Sequence, residues 1–442
     1  MTADVDRFRE LLRIPTVSHV DEELTDWSAF AEFTAALERL YPRTHATLSR
    51  EIIDEHALLY RWPGKTSDAP LVLMAHMDVV PVVPEEWEYD PFVATLVGTG
   101  NDATIHARGA IDDKGALVAI LEAVESLAES GYVPAHDIYL VFGHNEETAG
   151  GGARAIAQTL EDRGIRPALI LDEGGAIVDG AIPGVSVPTA MVGVAERGIM
   201  TVILTARESG GHASTPLRLP ATARLARAIT RLSRRPFRAR ISPPVRAMFR
   251  TVAASAPGLL GWAFRHIALT APLMAAVLSR MGPEMNATVR TTAVVTELSG
   301  ASADNVLATT ARASVNVRIL TGESVGSVRE RMRRVISDPD IAIDVRHDSE
   351  PSPVSPWRGE PWRRIATAVS TAIGPEVVTT PYLQSGATDS RWFTGISENV
   401  YRFAPFHLTR SEREALHSHN ERIRVDSWQA GVRFYQALIA AS

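Results

Sequence analysis

Three short apolar runs, each ending on charged or imidazole side chains, constrain this chain more than any other feature. Leu71–Ala75 leads into His76-Met77-Asp78, Ile138–Gly143 into His144-Asn145-Glu146-Glu147, and Ala168–Leu171 into Asp172-Glu173. Between them lie stretches with apolar residues at helical spacing, Gly115–Ser130 and Ala153–Asp162. Strands alternating with helices predict an α/β unit on a largely parallel sheet. In such sheets ligands bind outside the carboxyl ends of the strands, which is where these residues fall.

After Pro188 the pattern changes. Strand-like runs at Ile199–Thr205, Arg290–Leu298, Ala311–Leu320 and Ile341–Arg346 alternate with helix-like runs at Ala221–Leu232 and Ser324–Ile336. The order β-α-β-β-α-β predicts a ferredoxin-like α+β unit. An insertion at about Arg235–Ala287 interrupts it, and the Pro-rich stretch Pro351–Pro361 carries the chain back. With 442 residues, close to three times the ~150 of an ordinary domain, more than one domain is expected. The expected division is a catalytic domain over 1–195 and 350–442, with a lid or dimerisation domain inserted at 196–349.

Composition removes whole classes of chemistry. Cysteine is absent, which excludes disulfides, thiolate-bound metals and a thiol nucleophile. Any metal site must use His, Asp and Glu. A net charge of −7 argues against nucleic acid as a partner. The N-terminus lacks the apolar core of a signal peptide, so the expected location is the cytoplasm. Thr251–Ser279 is the most apolar stretch, but Pro257, Arg265, His266 and Pro272 interrupt it, short of a membrane span. The same interruptions count against a role at a membrane surface.

The strand tips suit metal-assisted hydrolysis. In His76-x-Asp78 the two side chains point the same way from an extended backbone, so Asp78 is placed to orient the imidazole. Asp112-Asp113 lies between glycines just before a helix; these carboxylates either cap that helix or hold a cation. Glu146-Glu147 precedes Thr148-Ala149-Gly150-Gly151, a setting in which one carboxylate binds metal and its neighbour moves a proton. Asp172-Glu173-Gly174-Gly175 repeats the design, and His417-Ser418-His419 adds imidazoles near the C-terminus. Imidazole and carboxylate donors suit Zn²⁺, with Mn²⁺ or Co²⁺ as alternatives.

HMDVVP (76–81), RGAIDDKG (108–115), EETAGG (146–151), LDEGG (171–175), GGHASTP (210–216), GATDSR (386–391) and HSHNE (417–421) occur in this order. Together they resemble the M20 family of metallopeptidases and amidohydrolases. Arg290-Thr291-Thr292, preceded by Asn286-Ala287, is most similar to its Gly-X carboxypeptidase and N-fatty-acyl amino acid synthase/hydrolase branch. The resemblance implies a dinuclear hydrolase acting on N-acyl amino acids or small peptides with a free carboxylate. It implies that Asp112 bridges two ions, with His76 and Asp172 on one and Glu147 and His417 on the other. Glu146 becomes the general base, Asp78 the support of His76, and the Asp112–Asp113 peptide cis. His417 is preferred to His419 because the motif places the ligand three residues before the Asn.

His212 resembles the histidine that crosses a dimer to the scissile carbonyl, and Asn305 and Arg318 resemble the pair that holds the substrate carboxylate. Gly386 joins them as a substrate contact. Ala308 and Ala107 replace a common Pro and Gly of the family. Two other readings accompany this one: a strict dipeptidase, and a non-catalytic binding protein on the same fold. The apolar insertion either packs as helices at a domain or dimer contact, or lines the site and accepts an acyl group.

Overall fold

The computed structural model describes residues 2–180, 182 and 184–442. Its first six main strands are β1 (Ser49–Ile53), β2 (Ala57–Trp62), β3 (Thr66–His76), β4 (His136–Gly143), β5 (Leu169–Val178) and β6 (Thr189–Glu196). Four more follow, β7 (Gly198–Arg207), β8 (Thr292–Ser299), β9 (Thr310–Ile319) and β10 (Ile341–Ser349). The last two are β11 (Val378–Gln384) and β12 (Val400–His407).

One sheet has eight strands in the order β1-β2-β4-β3-β5-β12-β6-β11. β3 runs parallel to both β4 and β5, β12 to β5, and β11 to β6. The mostly parallel α/β architecture expected from the sequence is therefore present. All but the first residue of β4 is buried, as both faces of a covered parallel sheet require. His76 and Gly143 are register partners, so β3 and β4 release their chemically loaded loops at one edge.

The expected third strand continues past Leu171 to Val178. Its pairing with β3 ends at Leu171, beyond which it follows β12 and then β6. Gly174, at φ +132, makes the bend: a Cβ there would come within 2.9 Å of the Arg402 Cβ.

Helices α1 (Ala3–Leu12) and α2 (Lys114–Glu129) pack beside this sheet, and the C-terminal helix Val425–Ala440 lies against α2. A Cβ on Gly115 would stand 2.3 Å from the Ala110 carbonyl oxygen, so only glycine lets α2 start so close to its preceding turn. Fully buried Trp428 stacks on Phe8 with ring centroids 4.5 Å apart and donates Nε1–H to the Gly115 oxygen at 3.0 Å. Trp428→Ala should cost about 3–5 kcal/mol, the usual loss for emptying an aromatic site. Urea unfolding measures it, and a loss below about 1 kcal/mol would show that this contact is not the tie between chain ends and α2.

The second sheet has the order β8-β9-β7-β10 and is antiparallel throughout. Helix α3 (Ala221–Arg234) packs on β7 and β9. The insertion folds as four helices, α4 (Pro243–Thr251), α5 (Gly258–Arg265), α6 (Ile267–Leu278) and α7 (Pro283–Val289). Helix α8 (Val325–Ile336) packs on α3 and β10, completing the expected β-α-β-β-α-β order. Met200, Val202, Val315, Val317 and Met332 belong to a core separate from that of the large sheet. Among the described residues no single helix is long and apolar enough to cross a membrane.

Candidate metal centre

Asp112 stands between two imidazoles. His76 Nε2 is 3.1 Å from Asp112 Oδ1, and His417 Nε2 is 3.0 Å from Asp112 Oδ2. His417 Nε2 also lies 3.1 Å from Glu147 Oε2, and His76 Nε2 lies 3.8 Å from Glu173 Oε1. Two sets of donors result, His76–Asp112–Glu173 and Asp112–Glu147–His417, each with its ligand atoms within 4.8 Å of one another. Four of the five expected ligands, drawn from segments far apart in the chain, converge here.

The fifth does not. Neighbouring residues on an extended strand point to opposite faces, and the bend in β5 turns Glu173 rather than Asp172 toward His76. Asp172 is buried elsewhere, its Oδ2 accepting the Ser390 N–H at 2.8 Å. That N–H belongs to a buried network in which Arg402 Nε meets Glu196 Oε1 at 2.7 Å and Thr388 Oγ1 donates to the same oxygen. Asp172 thus anchors the 388–390 turn, and Glu173 is the acid of this pair that faces His76.

Asp78 organises the cluster from behind. Its carboxylate is fully buried, 3.3 Å from His76 Nδ1. It accepts the Glu146 and Glu147 backbone N–H groups, each at 3.1 Å, and the Ser18 hydroxyl at 2.7 Å. Burial opposes its ionisation, yet the His76 imidazole and these donors hold it below the usual carboxylate range. Asp78 therefore orients His76 through its backbone carbonyl, 3.0 Å from Nδ1, and its carboxylate, and the same carboxylate fixes the loop that presents Glu146 and Glu147.

Glu421 does the same for Asp112. It accepts the N–H groups of Gly109 (3.0 Å), Ile111 (2.7 Å) and Asp112 (3.1 Å), and pairs with Arg108 Nη1 at 2.6 Å. Arg108 Nη2 donates to the Ser418 carbonyl at 2.6 Å, so the turn carrying Asp112 and the loop carrying His417 are clamped together. The Asp112–Asp113 peptide is cis. Asp113 occupies the N-cap position of α2 without capping it; its Oδ2 instead accepts the His76 N–H at 3.2 Å. Sequence reasoning missed Ser18 and Glu421 because their partners lie 60 and more than 300 residues away.

The donors fit divalent cations. Burial pushes Glu146 and Glu173 well above the ordinary carboxylate range, and the neighbouring acids Asp112, Asp389 and Glu147 add to this at Glu146, against the pull of His76. Asp112 and Glu147 push His417 up to about 10. So many acids around two imidazoles leave a deficit of positive charge, which cations of the hard-to-borderline class relieve. Glu147 Oε1 is buried without a hydrogen-bond partner among the described residues. The Glu146 carboxylate accepts no hydrogen bond from them, while its backbone is held by Asp78.

Asp112, Asp113 and Glu173 also line a cavity of about 1010 Å³. Met248 and Phe249 of α4, Met281 and Met285 supply apolar wall, so the insertion lines the cavity. Arg197 is the buried cation of this wall, only 4% exposed. Its Nη2 donates to the carbonyls of Arg290 (2.9 Å) and Arg318 (2.6 Å), and its Nε has no partner among the described residues. Burial lowers it to about 10.

His212, Asn305, Arg318 and Gly386 do not line the cavity. His212 and Asn305 are exposed neighbours, joined by the Ala213 N–H on the Asn305 carbonyl and by the pairing of Gly211–His212 with Val306–Leu307. Arg318 is half-buried on β9, with Nε donating to Asn316 Oδ1 at 3.3 Å.

Residues 72–441 match the family model described as peptidase family M20/M25/M40. The chain belongs to this family. Among M20 relatives, human N-fatty-acyl-amino acid synthase/hydrolase PM20D1 is 33% identical over 97% of this chain and 85% of its own length. The probable carboxypeptidase S-like 2 of Dictyostelium discoideum is also 33% identical, over 93% of this chain and 79% of its own. Among solved structures, the M20 metallo-carboxypeptidase Sso-CP2 of Sulfolobus solfataricus superposes with a TM-score of 0.73 over 100% of this chain and 99% of that one, at 17% identity. YXEP of Bacillus subtilis, described as a dinuclear metal-binding M20 peptidase, superposes at 0.60 over 99% and 96%, with 13% identity.

Proposed function

We propose that this chain hydrolyses the amide bond of N-acyl amino acids with long apolar acyl groups. The observation that carries the reading is one cavity whose wall combines Asp112 and Glu173 with Met248, Phe249, Met281 and Met285 and with the buried cation Arg197. An apolar chain, a scissile amide and a free carboxylate are the three parts of such a substrate. The human relative's name, N-fatty-acyl-amino acid synthase/hydrolase, agrees with it.

His76, Asp112 and Glu173 hold one cation in this reading, and Asp112, Glu147 and His417 the other, with Zn²⁺ the expected ion. When bound, such cations supply Lewis acidity to water and to the carbonyl. Glu146 accepts the proton of the attacking water at its carboxylate and returns it to the leaving nitrogen. Its place beside the ligand Glu147, with the backbone of both fixed by Asp78, keeps that carboxylate near the reacting atoms. Arg197 receives the substrate carboxylate, a role the sequence motif had suggested for Arg318.

Residues 196–349 act as the lid, and 1–195 with 350–442 hold the cations. Edge strand β8 leaves Val294 and Leu298 exposed, a surface suited to pairing two lids into a homodimer. That assembly gives the exposed His212 and Asn305 a neighbouring cavity to serve.

A substrate panel under Zn²⁺, Mn²⁺ and Co²⁺ tests the reading. Long-chain N-acyl amino acids should exceed their N-acetyl counterparts in kcat/KM by about tenfold or more, since each buried methylene contributes about 0.8 kcal/mol. Arg197→Met should raise KM by about 10–100-fold, the range for losing a charged hydrogen bond. Faster turnover of dipeptides than of any acyl amino acid would replace this reading with a dipeptidase.

A further inference from the structure

The α5–α6 hairpin presents an apolar stripe that neither the fold nor the proposed reaction uses. On α6, Leu269, Leu273 and Val277 recur every four residues and are 77%, 68% and 44% exposed. Its opposite face, Ile267, Ala275 and Leu278, is buried. On α5, Leu259 is 86% and Trp262 50% exposed, while Gly261 and Phe264 face inward. Exposed apolar residues repeated along one helix face, with more on the adjoining helix, mark a contact surface, unlike isolated surface leucines.

Its electrostatic setting is as distinctive. Residues 209–283 contain twelve Arg and no Asp or Glu, within a chain of net charge −7. On and beside these helices in the chain, Arg246 and Arg250 of α4, Arg265 at the end of α5 and Arg280 after α6 are exposed. None of the four forms a salt bridge among the described residues. The two helices are bent by 115° at their junction, so the pair cannot span a bilayer as one rod. In the sequence the Pro and Arg residues count against a surface role as well as a span; the folded hairpin reverses the first of these, because amphipathic elements lying flat at an interface carry Trp and Leu inward and Arg at the rim.

We propose that the α5–α6 hairpin docks this enzyme onto an anionic lipid bilayer. Arginines left without acidic partners meet lipid phosphates, and Leu259, Trp262, Leu269 and Leu273 enter the headgroup–acyl boundary. A second copy is a poorer occupant, because a two-fold contact here sets arginines without salt-bridge partners against their own copies. Met281, which follows the hairpin, is both 48% exposed and part of the cavity wall, so the docking face adjoins the cavity. Passage of an acyl chain from bilayer to cavity rests on the proposed function; the docking does not, and it is measured without substrate.

Vesicle co-sedimentation of the full chain tests it, comparing phosphatidylcholine alone with phosphatidylcholine containing phosphatidylglycerol. Binding should favour the anionic vesicles and weaken with salt. The Leu269→Glu/Leu273→Glu double variant should lose affinity by about tenfold or more, and Arg265→Glu/Arg280→Glu similarly. Both pairs are exposed and outside the cavity, so turnover of a soluble short-chain substrate should remain at the wild-type rate and confirm folding. Brominated phosphatidylglycerol should quench emission in the wild type and less so in Trp262→Phe. Equal binding to neutral and anionic vesicles, or unchanged binding of the leucine variant, overturns the proposal. So does sedimentation velocity in which Leu269→Glu/Leu273→Glu dissociates a dimer that the wild type forms, since that would place a second copy on the stripe rather than on β8.

Discussion

Replacing Glu146 by Gln is expected to lower kcat on an N-acyl amino acid by about 10²–10⁴-fold or more, the usual share of general acid–base catalysis. Gln keeps the shape and removes only the capacity to take up and return a proton. The backbone N–H of residue 146 still reaches Asp78 Oδ1, so the loop and its neighbour Glu147 stay in place. KM and metal content should therefore be unchanged. The melting temperature should hold or rise, because one charge leaves a cluster that already contains Asp112, Glu147 and Asp389. A variant keeping kcat within about tenfold would assign the proton to another group, since that loss is smaller than a general base supplies.

The frame of the molecule was legible because its signal is local. LVLMA, IYLVFG and all of ALIL but its first residue each lie in one strand of the large sheet, and the loaded tips of the first two leave it at one edge. His76, Asp112, Glu147 and His417 sit where a strand end or a turn presents them, and motif order alone singled them out. The choice between Asp172 and Glu173 was not legible, because it turns on where β5 bends, and a shift of one residue reverses the face. The supports were equally hidden. Ser18 reaches Asp78 across 60 residues, and Glu421 reaches the Asp112 turn across more than 300. Arg197 stands at the junction between β6 and β7, and only the folded cavity distinguishes it from any other arginine between strands.

Asp112→Ala should have the largest effect on metal content. Its two oxygens face different imidazoles, Oδ1 toward His76 and Oδ2 toward His417, so both donor sets lose a member at once. The variant should retain at most one ion per chain by elemental analysis and lose activity entirely. Glu173→Ala and Glu147→Ala each break only one set, and each should leave about one ion per chain, with metal affinity at the damaged set down by well over the 10–100-fold seen when supporting residues are lost. Asp172→Asn separates the two assignments for the strand. The amide still accepts the Ser390 N–H through its remaining oxygen, so metal content should stay at two. A loss of metal from Asp172→Asn with none from Glu173→Ala would restore the assignment first read from the sequence. Chelation of the wild type should abolish activity and lower the melting temperature, because the buried carboxylates around Asp112 are left facing one another without their cations.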